Sequence, residues 1–254
     1  MKRWITMTAM LISFAAFGQD EPNAIETGFR RFLLGINISP DYCDRKLKNN
    51  DGSSSSSMII DVLDKVEKFK IGYTAGLNAC YRISRRLGIE LGVQYSNKGY
   101  SIKKQELTSG NISDPRYGFV YTNGPETPVK GKFIYNYIYL DVPARVIYSF
   151  GEKRFHFVAS IGVAANIHLK TTLTSYLEYA NGDKKRETHD LDYDIRTMNI
   201  SPFISAGANY RISKRINLSA EPTFRYGVLK IMDTPVTAYL WNAGLNITCY
   251  YAIR

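Results

Sequence analysis

Glu90, Asp141, Arg145, Glu221 and Arg225 fall on the polar faces of segments that otherwise alternate apolar and polar residues, and Arg82 and Arg211 join them. Carboxylates and guanidiniums presented from separate segments toward one interior can do two kinds of chemistry. They can neutralise one another through charge-assisted hydrogen bonds, or they can line a path for a proton or a charged substrate. Counted from the nearest tight turn, Arg145 is level with Glu221, and Asp141 with Arg225 farther up, while Arg82, Glu90 and Arg211 sit nearer one mouth. Opposite charges at matched heights favour a structural network over a path. His156, His168 and His189 raise another chemistry, a general base beside Ser or Asp for lipid hydrolysis or acyl transfer. No motif sets a nucleophile beside any of them, so the sequence predicts no catalytic residue. Cys43, Cys80 and Cys249 are odd in number and lack metal-ligand spacing, so neither a metal nor a cofactor is expected.

Strands must position these groups. Read in period two, eight segments set large apolar residues on one face against small, polar or charged residues on the other. Residues 87–95 do so without a break: Leu87, Ile89, Leu91, Val93 and Tyr95 alternate with Gly88, Glu90, Gly92 and Gln94. In the fourth segment Ile138, Leu140, Val142 and Val146 oppose Tyr139, Asp141 and Arg145. In the seventh, Ile216, Leu218 and Phe224 oppose Asn217, Glu221 and Arg225. Cys80 and Cys249 fall on opposite kinds of face, which disfavours a bridge between them.

A soluble sandwich alternates too, but the connections separate the two architectures. Those at 84–86, 151–154 and 213–215 are tight, whereas those after the first, third and fifth segments run to roughly two dozen residues. Short on one side and long on the other predicts an antiparallel, up-and-down transmembrane β-barrel of eight strands, with ten as the alternative. Both ends of the chain then lie on the short-turn, periplasmic side. Tyr81, Tyr148, Phe150, Phe155, Phe157, Tyr210 and Tyr251 flank the short turns, and Tyr95, Tyr100, Tyr135 and Tyr137 the long loops, as girdles at the headgroup level would require. The interior of an eight-stranded barrel is about filled by side chains, so a plugged lumen is expected and a porin disfavoured.

Lys2 and Arg3 precede the apolar run 4–17, and Ala16 and Gly18 supply the small residues before Gln19, the pattern of a cleaved secretory signal peptide. The predicted organisation is a signal peptide over 1–18, a periplasmic lead over 19–30 and an outer-membrane barrel domain over 31–254, in a Gram-negative-type bacterium. No later window is apolar for long enough to form a membrane helix. The formal charge is +10; cleavage removes two of 33 basic residues against 23 acids and leaves +8. The cations are spread over turns and loops rather than along one stripe, which points to anionic outer-leaflet headgroups rather than nucleic acid.

Of the long loops, 42–69 carries serines at 53–57 and then Ile59, Val62, Leu63, Val66 and Phe69 at helical spacing. That predicts a short amphipathic helix that caps the barrel, extends the second strand or engages a partner. Loop 104–130 contains Pro115, Pro125, Pro128 and the apolar stretch 117–121, an extra hairpin that would raise the strand count to ten. Loop 172–196 has no predicted structure. Asn111, Asn199, Asn217 and Asn246 match the glycosylation tripeptide, but the last three are predicted inside strands.

Residues 81–87, Tyr-Arg-Ile-Ser-Arg-Arg-Leu, echo residues 210–216, Tyr-Arg-Ile-Ser-Lys-Arg-Ile, as one hairpin chemistry used twice. With the leader, the eight-strand pattern and the segment Tyr-Ile-Tyr-Leu-Asp-Val-Pro at 137–143, the chain resembles the PorT-like outer-membrane β-barrel family over nearly all of its mature length. Its final residues, Cys-Tyr-Tyr-Ala-Ile-Arg, depart from the terminal aromatic common in barrels. The resemblance implies an accessory role in protein secretion and assembly at the outer membrane. The residues themselves favour a structural, adhesive or partner-binding role through the extracellular loops. The surroundings expected are outer-membrane lipids, a protein partner at the loops or the periplasmic face, no nucleic acid and a monomeric barrel. A lipid-modifying enzyme is the third reading.

Overall fold

The computed structural model describes residues 30–107, 112–114, 119–121, 128–192 and 194–253. The predicted leader and its cleavage site, the lead up to residue 29, Asn111, Pro115 and Pro125 lie outside these residues. In chain order the elements are β1 (Phe32–Asn49), α1 (Ser54–Val66), β2 (Glu67–Lys68), β3 (Lys70–Arg82), β4 (Leu87–Glu106), β5 (Ile112–Asp114) and β6 (Phe119–Tyr121). They continue with β7 (Pro128–Phe150), β8 (Phe155–Tyr179), β9 (Lys184–Leu191), β10 (Met198–Arg211), β11 (Ile216–Tyr226) and β12 (Val236–Ala252).

Eight strands close a ring in the order β10-β11-β12-β1-β3-β4-β7-β8, and β8 pairs back to β10. The first and last strands seal it, from Leu33 opposite Ala252 to Asn49 opposite Val236. All described pairings are antiparallel, so no ring strand has an open edge through the bilayer, where an unpaired backbone group would be costly. Two short strands bring the sheet to ten: β2 continues the line of β3 along β4, and β9 folds back on β8. The extra strands therefore do not come from loop 104–130, whose β5 and β6 pair with each other as a separate sheet. Loop 172–196 holds the upper part of β8 and all of β9.

The short turns explain the repeated motif. Ser84 Oγ accepts the backbone N–H groups of Arg86 and Leu87 at 3.2 and 3.0 Å, and Ser213 Oγ accepts those of Arg215 and Ile216 at 3.2 and 3.1 Å. A serine at this place supplies the acceptor that a tight reversal otherwise lacks.

About ten residues per strand suffice to cross a bilayer, yet β4, β7 and β8 run to 20, 23 and 25 residues. The surplus stands beyond the long-loop side and inverts the barrel's chemistry. Near the short turns Leu34, Ile36, Leu77, Leu91, Ile161 and Ile204 face outward, and polar side chains face the lumen. In the extension Tyr100, Ile102, Phe133, Tyr135, Leu173 and Leu177 turn inward into one apolar cluster, while Lys103, Lys104 and Lys132 are exposed. The inversion follows the solvent, which changes from hydrocarbon to water outside the wall.

Several sequence expectations are corrected here. Tyr100, Tyr135 and Tyr137 are no girdle: all three are buried inside, on the same parity as Lys98 and Tyr139. Ile138, expected against lipid, is buried at a register shift between β7 and β8. That shift also reverses the parity of β8, so Ser160 and Asn166 face inward below it and Leu173 and Leu177 above it. The fourth segment, expected from Ile138, begins at Pro128. Gly99 lies between the two regimes with φ 138°, and a Cβ there would stand 2.0 Å from the Tyr135 carbonyl oxygen, so only glycine fits.

Helix α1 starts where a cap exists. Ser53 Oγ accepts the Ser56 backbone N–H at 3.1 Å, and the Ser53 backbone N–H holds the Asp51 carboxyl below its usual range. Leu63 is buried, Ile59 and Val62 are exposed, and Phe69 lies beyond the helix with its ring 4.7 Å from that of Tyr42. Ser53→Ala should cost about 1 kcal/mol of helix stability, read as faster amide exchange at Ser56 and Ser57 with the strands unchanged.

Candidate functional site

The site is the lumen, built in levels from the short-turn end. At the lowest level Arg145 of β7 spans the barrel. Its Nε donates to Glu90 Oε1 at 2.8 Å and its Nη1 to Glu221 Oε2 at 2.9 Å and Ser160 Oγ at 3.3 Å; its Nη2 donates to Tyr250 Oη at 2.9 Å. Tyr250 donates its hydroxyl to the other Glu90 oxygen, and Ser205 and Ser219 donate to Glu221 at 2.6 and 2.8 Å. One guanidinium thus serves two carboxylates, and the surplus negative charge is met by three hydroxyl donors. A planar fork with several N–H vectors can reach partners on β4, β8, β11 and β12 at once, which an ammonium cannot. All of these groups are buried.

Above lies a neutral level of amides in which donation runs one way around the wall. Gln94 donates to Asn78 at 2.9 Å, Asn78 to Asn37 at 3.3 Å, Asn37 to Asn246 at 3.0 Å and Asn246 to Thr248 at 3.2 Å. Asn78, Asn37 and Asn246 each use both carbonyl and NH₂ in this chain, so their dipoles follow one another around the wall.

The third level carries charge again. Lys98 meets Asp141 at 2.8 Å, and Asn166 donates to the same carboxylate at 2.6 Å. Asp41 accepts from Ser39 at 2.7 Å and Thr74 at 2.6 Å and lies 3.6 Å from Arg225. Lys70 reaches the side-chain carbonyls of Asn97 and Asn136, both at 2.5 Å. Gly244, opposite Asp41 in register, makes room for this level: a Cβ there would stand 1.9 Å from Asp41 Oδ1 and 2.5 Å from the Pro40 carbonyl oxygen. Gly244→Val should therefore prevent closure of β12 on β1, seen as loss of the folded band in electrophoretic heat-modifiability assays.

Over these levels sits the apolar cluster of the extension. Tyr139 carries Lys98 5.3 Å from its ring centroid, the rings of Tyr100 and Tyr135 stack at 4.8 Å, and Arg45 lies 3.7 Å over Tyr100 while pairing with Glu67. Leu173 and Ile231 complete the packing.

Arg145, Glu221 and Glu90 meet in one cluster, and Glu90 is the register partner of Arg145 rather than a residue of the mouth. Asp141 and Arg225, expected together, are apart: Lys98 takes Asp141, and Arg225 turns to Asp41. Arg82 and Arg211 stay near the short-turn mouth, half-buried. Arg82 lines a cavity of about 30 Å³ there, beside His156, Glu221 and Tyr250. Asp41, Lys70, Lys98 and Tyr250 belong to the site and were missed by sequence reasoning. Of the girdle candidates, Tyr81, Tyr95, Tyr148, Phe150, Phe155, Tyr210 and Tyr251 stand on the outer wall.

The three histidines do not converge. His156 Nδ1 is 3.1 Å from the Lys153 carbonyl by a short turn, His168 Nε2 is 2.9 Å from Thr171 Oγ1, and His189 Nε2 is 3.5 Å from Glu187 on β9. Among the described residues no group of His, Cys, Asp or Glu could hold a metal ion. Cys43 and Cys80 are buried, Cys249 is exposed, and all three are free. The side chains of Asn199, Asn217 and Asn246 are buried, as expected of strand positions.

A family model described as the outer membrane protein beta-barrel domain matches residues 17–232. Similar solved structures include Neisserial surface protein A, at 12% identity over 87% of this chain and 97% of that one with a TM-score of 0.38. The attachment invasion locus protein Ail of Yersinia pestis is 11% identical over 87% of this chain and 99% of its own, with a TM-score of 0.30. The outer membrane protease OmpT of Escherichia coli is 8% identical over 88% and 94%, with a TM-score of 0.39. No curated protein matches the chain.

Proposed function

The chain belongs to the outer membrane protein beta-barrel domain family, and from that premise we propose that it is a closed, non-conducting barrel that acts through its extracellular extension. The observation that carries this reading is the division of labour along the strands. Nearer the short turns, buried side chains of the lumen bond one another through Arg145, the amide chain and the Asp41 and Asp141 groups. Above it, β4, β7, β8 and β9 with α1 build an ordered surface outside the membrane around a core of their own. Such a body presents exposed side chains on rigid strands, which suits a structural, adhesive or partner-binding role. Trimming the β8–β9 hairpin at residues 174–188 to a tight turn is expected to abolish attachment of whole cells to host or partner surfaces while the barrel stays heat-modifiable. Unchanged attachment, with loss only when the whole chain is deleted, would contradict it.

The second reading is an accessory of protein secretion, implied by the PorT-like segment at 137–143. That segment lies in β7 with Tyr137, Tyr139 and Asp141 inside the lumen. Copurification after mild crosslinking separates the two: recovery of secretion machinery favours the accessory, and a barrel recovered without it favours the surface role. A leader cleaved near Gly18 and delivery by the general export route go with either reading.

A further inference from the structure

The two rims of the barrel treat their cations differently. On the extracellular side Lys104 pairs with Glu178 and Lys230 with Asp233; Lys185 meets Glu187 at 2.6 Å, Arg196 meets Asp233 at 2.9 Å, and Lys170 lies 3.7 Å from Asp190. These contacts hold Glu178, Glu187 and Asp233 below the usual carboxyl range, as ion-paired acids should be. Among the described residues the short-turn rim is far more one-sided in charge. Arg30 and Arg31 lead into β1, and Arg82, Arg85 and Arg86 mark the β3–β4 turn. Lys153 and Arg154 lie at the β7–β8 turn, and Arg211, Lys214 and Arg215 at the β10–β11 turn. Against these ten stands one acid among the described rim residues, Glu152, and it is engaged by Arg85 at 3.1 Å and Arg86 at 3.9 Å.

Where the remaining guanidiniums sit decides what they face. Arg31 Nη1 donates to Tyr81 Oη at 3.5 Å and Arg215 Nη1 to Tyr251 Oη at 3.1 Å; Arg154, which donates to the Arg211 and Ile212 carbonyls at 2.9 and 3.4 Å, lies 5.1 Å over the ring of Tyr210. The three tyrosines are on the outer wall, not in the mouth, at 36, 46 and 41% exposure. They belong to β3, β12 and β10, so the pairs occupy one continuous arc of five neighbouring strands, from β10 through β11, β12 and β1 to β3. A guanidinium held by a tyrosine at the level where the outer wall leaves hydrocarbon meets the phosphate of a lipid headgroup, and its fork matches a phosphate in geometry as well as charge.

We propose that this arc of Tyr–Arg pairs is a binding surface for anionic phospholipid of the inner, periplasmic leaflet of the outer membrane. It adds an inner-leaflet partner to the outer-leaflet headgroups expected from the sequence, because several extracellular cations are paired with carboxylates whereas the rim arginines face lipid. An acidic periplasmic protein is the competing occupant, and placement favours lipid: such a protein would approach from below the rim, whereas Tyr81, Tyr210 and Tyr251 continue the lipid-facing surface. The inference needs the barrel to span the membrane with its short turns in the periplasm. It does not depend on a closed lumen or on the role of the extension.

The test is native mass spectrometry of the full barrel in detergent, titrated with phosphatidylglycerol or with phosphatidylcholine of the same acyl chains. Wild type should retain phosphatidylglycerol preferentially. The triple variant R31Q/R154Q/R215Q, which touches no buried group of the lumen, should lose that preference by tenfold or more, since each basic residue near an anionic surface contributes measurably. An extracellular variant, K104Q/K170Q/K185Q, should keep it, and both variants should retain heat-modifiability. Equal retention of the two lipids by wild type, or a preference that survives in the rim variant, would overturn the proposal. So would poly-glutamate bound through the same three arginines with phosphatidylglycerol unable to displace it, which would assign the arc to an acidic protein.

Discussion

Arg145→Leu is expected to lower the unfolding temperature of the barrel on the order of 10 °C. The change removes the cation that bridges Glu90 and Glu221 and leaves both carboxylates buried without it. Removing one partner of a buried ion pair typically costs about 3–5 kcal/mol, because the charge left behind has lost both water and counter-charge. For a domain of this length each kcal/mol moves the midpoint by roughly 2–4 °C. Arg145→Lys keeps the charge but not the fork that reaches four strands, so it should fall between wild type and the leucine variant. The measurement is the temperature at which the folded band is lost in electrophoresis, in one detergent at one pH. An unchanged temperature for Arg145→Leu would mean that the three buried groups are not coupled as their distances of 2.8 and 2.9 Å require.

Tyr135→Ala should have an effect of similar size confined to the extracellular extension. Tyr135 is 2% exposed and stacks on Tyr100 in the apolar cluster. Truncating a buried aromatic ring costs about 3–5 kcal/mol where the surroundings cannot collapse into the space. The extension has its own core, separated from the barrel proper by the register shift at Ile138 and Tyr139 and by Gly99, so it can loosen as a unit. Protease added to intact cells should then cut the variant within β8, β9 or the adjoining loops, at a concentration that leaves wild type whole. The bilayer-spanning part should survive as a protected fragment. Cleavage equal to wild type would show that the cluster does not hold the extension together.

These two sites differ in how far the sequence exposes them. Period-two alternation puts Glu90, Arg145 and Glu221 on the inner face without any structure, because a strand's faces are fixed by parity and the solvent on each face by hydropathy. Which acid meets which cation is another matter. Counting from the nearest turn sets Asp141 opposite Arg225, but barrel strands tilt and the register staggers progressively around the ring, so equal counts are not equal heights. Lys98 therefore takes Asp141, and Arg225 reaches for Asp41. Asp41, Lys98 and Tyr250 carry the correct parity in the sequence. They lie a residue or more beyond the apolar alternation that marks each segment in the sequence. The extension hid for a related reason. Outside the bilayer the apolar face turns inward, so Tyr100, Tyr135 and Tyr137 look like headgroup aromatics if the outer face is still assumed to be the greasy one. The reversal of β8 is carried by a register shift, which one strand's composition does not reveal without its partner.

The claim on which the functional reading rests is that the lumen is closed by its own side chains, and single-channel recording of the purified barrel in planar bilayers addresses it most directly. Wild-type protein, inserted and verified as folded, should give a quiet baseline at voltages of either sign, without discrete conductance steps. Reproducible ohmic steps that scale with salt concentration would contradict the account and make the barrel a pore.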